Sequence, residues 1–164
     1  MKLPVATVLA SALIGMSATA DVPKLTRGDL EAVIGNEWTG QLTYLNYQAP
    51  FNDVTIRAAL QASAADNGLK LDYLYPDEPN ANSTVIAEIG ADGTSFMGEP
   101  IVSNEMLGDG VRLVKTCYPC EDMGRAAMCE MTYRLAPTEL RIKKMVTYDG
   151  ETEAFRRNEY VFTR

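Results

Sequence analysis

From Gly35 onward the chain alternates apolar and polar positions with a period of two. Val54, Ile56, Ala58, Leu60 and Ala62 share one parity, as do Leu140, Ile142, Val146 and Tyr148. Successive side chains of a strand point to opposite faces, so such runs predict strands with one buried face. Nine segments carry the pattern: 38–48, 54–64, 69–75, 83–89, 94–105, 111–117, 126–135, 140–148 and 153–163. The breaks between them include Asn67-Gly68, Asp92-Gly93, Asp109-Gly110 and Asp149-Gly150, pairs that tolerate the positive φ of tight hairpin turns. Further turns are expected at Pro76–Asn80, near Met123-Gly124 and at Ala136-Pro137-Thr138. Consecutive short strands joined by short turns make an antiparallel meander. Closing that sheet removes its exposed edges. The expectation is an all-β, up-and-down β-barrel of about 8–10 strands. A two-sheet sandwich is the alternative, but its crossovers need longer connections than most of those here.

One segment before the strands breaks the pattern. Residues 25–35 read as a short helix with Thr26 as its cap and Asp29 three positions on. Leu25 and Leu30 occupy the two positions of a hydrophobic staple, and Gly35 is a natural stop. Earlier still, Met1-Lys2 precedes an apolar run from Leu3 to Met16 that ends in Ser17-Ala18-Thr19-Ala20. A basic start, a short apolar core and a small-x-small ending are the marks of a secretory leader. The expected organisation is a leader over 1–20 and a single barrel domain over 21–164. The run is too short to span a bilayer comfortably, and nothing later is apolar enough to cross one as a helix. An exported protein, periplasmic or extracellular, is expected.

Charge and composition then remove function classes. The chain carries 15 basic and 22 acidic residues, a net charge of −7. An acidic protein gains nothing from phosphate backbones, so nucleic acid is not an expected partner. There is no histidine. That takes away the usual general base, the Ser-His-Asp and Cys-His nucleophile systems and the commonest transition-metal ligand. The carboxylates fall on no spacing that predicts acid–base work. An enzyme is not expected, nor a metal or cofactor. Asn82-Ser83-Thr84 is a glycosylation sequon, meaningful only in a eukaryotic secretory pathway.

The first strand carries Trp38, Gly40, Leu42, Tyr44 and Tyr47 as Trp-x-Gly-x-Leu-x-Tyr-x-x-Tyr. A short helix followed by Gly and Trp at the opening of a meander resembles the lipocalin-like (calycin) barrels. The run is also similar to one in small exported bacterial proteins of unassigned role. The lipocalin motif puts one residue between Gly and Trp, whereas two separate Gly35 from Trp38. The resemblance implies that Trp38 closes the narrow end of the barrel. It also implies that a basic residue late in the last strand lies across the indole. Arg164 matches, since it shares the parity of Tyr160 and Phe162. Both roles are structural.

Cys117-Tyr118-Pro119-Cys120 and Cys129 are the only reactive motif. A redox pair needs a thiol at a helix N-terminus, whereas this one ends a strand beside Glu121 and Asp122. Zinc would lack a fourth ligand of the usual kind. A structural disulfide in an oxidising compartment is the better reading. Setting Cys117 opposite Cys129 also sets Leu113 against Tyr133 and Val111 against Leu135, so apolar residues meet. The expected bridge is therefore Cys117–Cys129. A Cys117–Cys120 bridge with Cys129 buried is the next choice.

The functional expectation is a binding protein for a small apolar or amphipathic molecule, because a barrel of this size can hold one small ligand. Parity directs Tyr44, Tyr73, Tyr133 and Arg156 inward, beside Leu42, Ile56, Leu60, Leu71, Leu113 and Phe162. Arg156 would enter as a cation that needs an anion, which favours an amphipathic acid. The alternative is an envelope interaction protein or inhibitor with a filled barrel, acting through the connections at 76–83 and 118–125.

Overall fold

A computed structural model describes residues 22–48 and 51–164, so the leader lies outside the described residues. Ten strands follow in chain order: β1 (Asn36–Asn46), β2 (Asn52–Ala65), β3 (Gly68–Leu74), β4 (Ser83–Glu88), β5 (Ser95–Phe96), β6 (Glu99–Gly108), β7 (Val111–Asp122), β8 (Arg125–Leu135), β9 (Glu139–Tyr148) and β10 (Phe155–Thr163). They lie in the order β4-β3-β2-β1-β10-β9-β8-β7-β6-β5. Every pairing is antiparallel, and every neighbour is next in sequence except β1 with β10. The sheet curls until its ends touch. Ile89 bridges Phe96, the Gly90 amide donates to Ser95 O at 2.9 Å, and the Met97 amide donates to Glu88 O at 2.8 Å. The result is an up-and-down, nearly closed β-barrel.

Two boundaries differ from the sequence reading. Segment 94–105 is broken in two by a turn at Met97 and Gly98, whose φ values are 56° and 85°. A methionine at positive φ is uncommon and gives no turn signal. Segment 111–117 continues to Asp122 and pairs with β8 throughout, through Pro119↔Met128. Proline lacks the ladder donor and argues against a strand interior, which hid this extension. The stretch 118–125 is therefore a hairpin rather than a long loop.

The residues before β1 cap one end. They form a 3₁₀ helix over Arg27–Val33 with a capping box, the Thr26 amide donating to the Asp29 carboxylate at 2.8 Å. Leu25 and Leu30 are both buried. Leu25 N donates to Gly93 O at 2.8 Å, Asn104 Nδ2 to Lys24 O at 2.6 Å, and Arg112 pairs with Asp29 at 2.7 Å. Trp38 sits fully buried behind this plug and donates from Nε1 to Val33 O at 3.2 Å. The Arg164 guanidinium carbon lies 4.4 Å from the Trp38 ring centroid. Its Nη2 donates to Ala32 O at 2.9 Å and its Nε to Pro137 O. Gly40 in β1 is required by packing: a Cβ there would collide with the Val161 carbonyl of β10.

Above the plug the barrel is filled. Tyr73 packs against Tyr160 and Phe162 with centroids 5.1 and 6.4 Å away, and Phe96 meets Tyr133 edge-on at 4.9 Å. Tyr75 and Tyr160 share a hydroxyl–hydroxyl bond of 2.7 Å.

Candidate functional site

The opposite end of the barrel is built differently. Three connections converge there: β1–β2, the β7–β8 hairpin and β9–β10. At its centre is Asp122, the last residue of β7 and only 8% exposed. It accepts hydrogen bonds from the Tyr47 hydroxyl and, at 2.9 Å, from the Tyr148 hydroxyl. Arg157 lies 3.3 Å from its other oxygen, donates to Leu45 O at 2.9 Å and stacks over the Tyr47 ring at 4.2 Å. Burial, and then the bond to Asp122, push the Tyr47 phenol well above its ordinary pKa, so it stays a donor. This knot ties the ends of four strands together, β1, β7, β9 and β10.

Beside the knot is an open cavity of about 460 Å³ lined by Leu45, Tyr47, Phe51, Met123, Arg125, Tyr148 and Phe155. Its volume falls in the range of small-molecule sites. Phe51 is 70% exposed and Met123 60%, an unusual outlay of apolar surface at one rim. Tyr148 and Phe155 are 5.4 Å apart, and the Arg125 guanidinium covers the outer face of Tyr148 at 3.6 Å. Arg125 is held by Glu151 at 2.5 Å. Beneath, Phe155 and Tyr148 rest on a small core of Ala127, Cys129 and Val146.

The disulfide belongs to this end and corrects the expected pairing. Cys120 is bonded to Cys129 and Cys117 is free. The hairpin turn at Met123 and Gly124 has φ values of 52° and 72°, so both central residues are left-handed. It sets Asp122 opposite Arg125 and therefore Tyr118 opposite Cys129. That register differs by one residue from the one expected, and one residue turns a side chain to the other face. Cys117 thus faces outward, while Cys120 and Cys129 share the inner face as diagonal neighbours with Cα atoms 5.8 Å apart. The Cys117–Cys120 alternative fails as well. Three extended residues separate their Cα atoms by about 10 Å, beyond the roughly 7 Å that a disulfide spans.

The four residues expected to line a lumen are dispersed. Tyr73 and Tyr133 lie inside but are 8% and 4% exposed and packed into the core. The Tyr133 hydroxyl points to Met97 Sδ at 3.4 Å. Tyr44 is on the inner face of β1, half-buried, opposite Val54 and Asn158. Arg156 does not enter the interior. The register of β10 against β9 slips between Arg156 and Asn158, so Arg156 faces Met145 while Asn158 faces Lys144. A bulge inserts one residue and reverses parity beyond it. Arg156 is left outside with Asp53 and Glu159, and Arg157 takes the inward place at Asp122. Leu113 is also on the outer face, in a shallow charged groove with Lys115, Arg134 and Arg141.

Sequence reasoning missed the Asp122 knot, Arg157 and the Phe51–Phe155 cavity. The available signal was the aromatic and arginine content of the connections: Tyr47, Phe51, Arg125, Tyr148, Phe155 and Arg157. Among the described residues no cluster of His, Cys, Asp or Glu could hold a metal, and no helix is long and apolar enough to cross a membrane. No known protein-family model matches the chain, and no curated protein is similar to it.

Proposed function

We propose that this protein is an exported, lipocalin-like carrier or sensor that binds one small apolar or amphipathic molecule at the end of its barrel opposite the 3₁₀ plug. The observation that carries the reading is the aromatic cavity of about 460 Å³ over the Tyr148–Phe155 pair. Flat apolar walls with few polar groups are what a small hydrophobic ligand needs. The knot around Asp122 supports it by holding the cavity walls in place without a ligand, which lowers the ordering cost of binding. Export is supported by the leader pattern ending at Ala20 and by the Cys120–Cys129 bridge, since disulfides persist in oxidising compartments. The lipocalin-like comparison is supported by strand order and by Arg164 over Trp38 behind an N-terminal plug.

The test is native mass spectrometry of the mature protein purified from its own compartment, before and after organic extraction. A small molecule that co-purifies with the wild type and is lost from Tyr148→Ser/Phe155→Ser is the expected result. Stoichiometric recovery of a protein partner with no small molecule would favour the interaction-protein alternative, and recovery of neither would remove the carrier reading.

A further inference from the structure

The outer face of β7, β8 and β9 carries a second concavity, on the far side of the sheet from the core. Val114, Thr116, Tyr133 and Ile142 are buried, so the residues that alternate with them point outward. Leu113 lies opposite Arg134, and Arg134 opposite Arg141. Two positions along each strand, Lys115 lies opposite Thr132, and Thr132 opposite Lys143. Directly opposed side chains start about 5 Å apart, and two residues along a strand cover about 7 Å. Donor-bearing side chains from three strands therefore rise from one small patch. With Glu130 and Glu159 they line a groove of about 320 Å³. Four cations face two carboxylates there, on a chain whose net charge is −7.

The protein itself satisfies these cations poorly. Arg141 donates to Glu139 and to Glu159 at 3.4 Å each, long against the roughly 2.7–2.9 Å of a charge-assisted bond. Its Nε is buried with no hydrogen-bond partner. Lys115 is 3.7 Å from Glu130. Lys143 makes no hydrogen bond or ion pair among the described residues, although Glu159 is directly opposite. Glu159 is shared instead between Arg141 and Arg156. Only Arg134 has a short contact, from Nη1 to Glu139 at 2.7 Å, and a guanidinium has five donors to place. Arg134 and Arg141 are also like charges set side by side, which costs free energy. A buried donor without a partner costs more. An anion seated between them would relieve both.

We propose that this groove binds a tetrahedral oxyanion, a sulfate or phosphate group, held by Arg134, Arg141 and Lys143 over the Thr132 hydroxyl. The oxygens of such a group spread in three dimensions and can accept from donors that converge from two rows and two strands. A carboxylate offers two oxygens in one plane. Arginine meets the anion with its planar fork, and lysine meets it as a point charge. Leu113 adds an apolar surface at one side of the groove, so the group fits as an ester of a small organic molecule as well as free. The site lies outside the barrel and does not depend on the carrier reading.

The experiment is an amide NMR titration of the protein with inorganic sulfate, inorganic phosphate and phenyl phosphate. Potassium chloride at matched ionic strength and sodium acetate are the controls. Saturable shifts are expected at Thr132, Arg134, Arg141 and Lys143, with sulfate and phosphate bound more tightly than acetate. Tighter binding of phenyl phosphate than of inorganic phosphate would assign an ester as the ligand, and equal binding the free ion. Lys143→Gln removes a charge without breaking any bond within the protein. Loss of one charge-assisted contact predicts affinity weaker by about tenfold in Lys143→Gln and in Arg141→Gln. Tyr148→Ser/Phe155→Ser, at the distant cavity, should stay within about twofold of wild type. No saturable shift in wild type, shifts that chloride reproduces, acetate bound as tightly as sulfate, or unchanged affinity in both groove variants would each overturn the site.

Discussion

At the residue scale, single side chains have roles that their neighbours define. Trp38 is fully buried between the 3₁₀ plug and the core, and Arg164 seals it from outside. Trp38→Ala is expected to cost about 3–5 kcal/mol by cavity formation. Arg164→Ala should cost about 0.5–2 kcal/mol for the lost cation–π contact. Urea unfolding of both and of the double variant should show a non-additive term, since the groups touch; strict additivity would deny the contact any energetic weight. The buried phenols carry a second expectation. Burial raises the pKa of Tyr73, Tyr133 and Tyr160 above the ordinary 10.0. Above pH 10 these groups ionise in the unfolded chain while the native state keeps their protons. Unfolding then releases protons, so stability is whole below pH 10 and falls as the pH rises further. Denaturant midpoints measured from pH 8 to 12 should decline only above about pH 10. A flat profile would contradict the burial of these hydroxyls.

At the element scale, the β7–β8 hairpin decides the architecture of the end opposite the plug. Its left-handed turn sets the register, the register places Cys120 and Cys129 on one face, and the bridge then supports the floor under Tyr148 and Phe155. Peptide mapping of alkylated, non-reduced protein should find Cys120 linked to Cys129 and Cys117 alkylated. Closing the short loop between sequence positions nine apart is worth about 2–3 kcal/mol, so Cys120→Ser/Cys129→Ser should lose that much in urea unfolding. A Cys117–Cys129 product would refute the register itself. The β10 bulge is the other deciding element. It exchanges Arg156 for Arg157 at the interior and so makes the Asp122 knot.

At the scale of the whole molecule, the two ends divide the work. One end is plugged by the 3₁₀ segment and held by Trp38, Arg112 and Arg164, and the barrel beside it is packed with aromatic rings. Stability is built there. The other end keeps its apolar groups at the rim, where Phe51 and Met123 are exposed beside an open cavity. Ligand binding at such a site should stabilise the native state by mass action. Dodecanoate at 100 times its Kd should add about 2.7 kcal/mol. The melting temperature should therefore rise with dodecanoate concentration in wild type and less in Tyr148→Ser/Phe155→Ser. No rise in wild type would count against a native-state site.

The alternation of apolar and polar positions after Gly35 determined the strands, their antiparallel order and the inward set Leu42, Ile56, Ala58, Leu60, Ala62, Leu140 and Ile142. This was legible because strand parity is local: each residue faces opposite to the one before. The capping box at Thr26 and Asp29 was legible for the same reason, its partners being three residues apart. The disulfide partner and the face of Arg156 were not. Each hangs on a shift of a single residue, at the Met123-Gly124 turn or at the Arg156–Asn158 bulge. One inserted residue reverses every face beyond it without changing the alternation that the sequence displays. The cavity lined by Phe51 and Phe155 was hidden for a related reason. Tyr47, Phe51, Met123, Tyr148 and Phe155 come from three connections far apart in the chain, and only the pairing of β1 with β10 and the curl of the sheet bring those connections together.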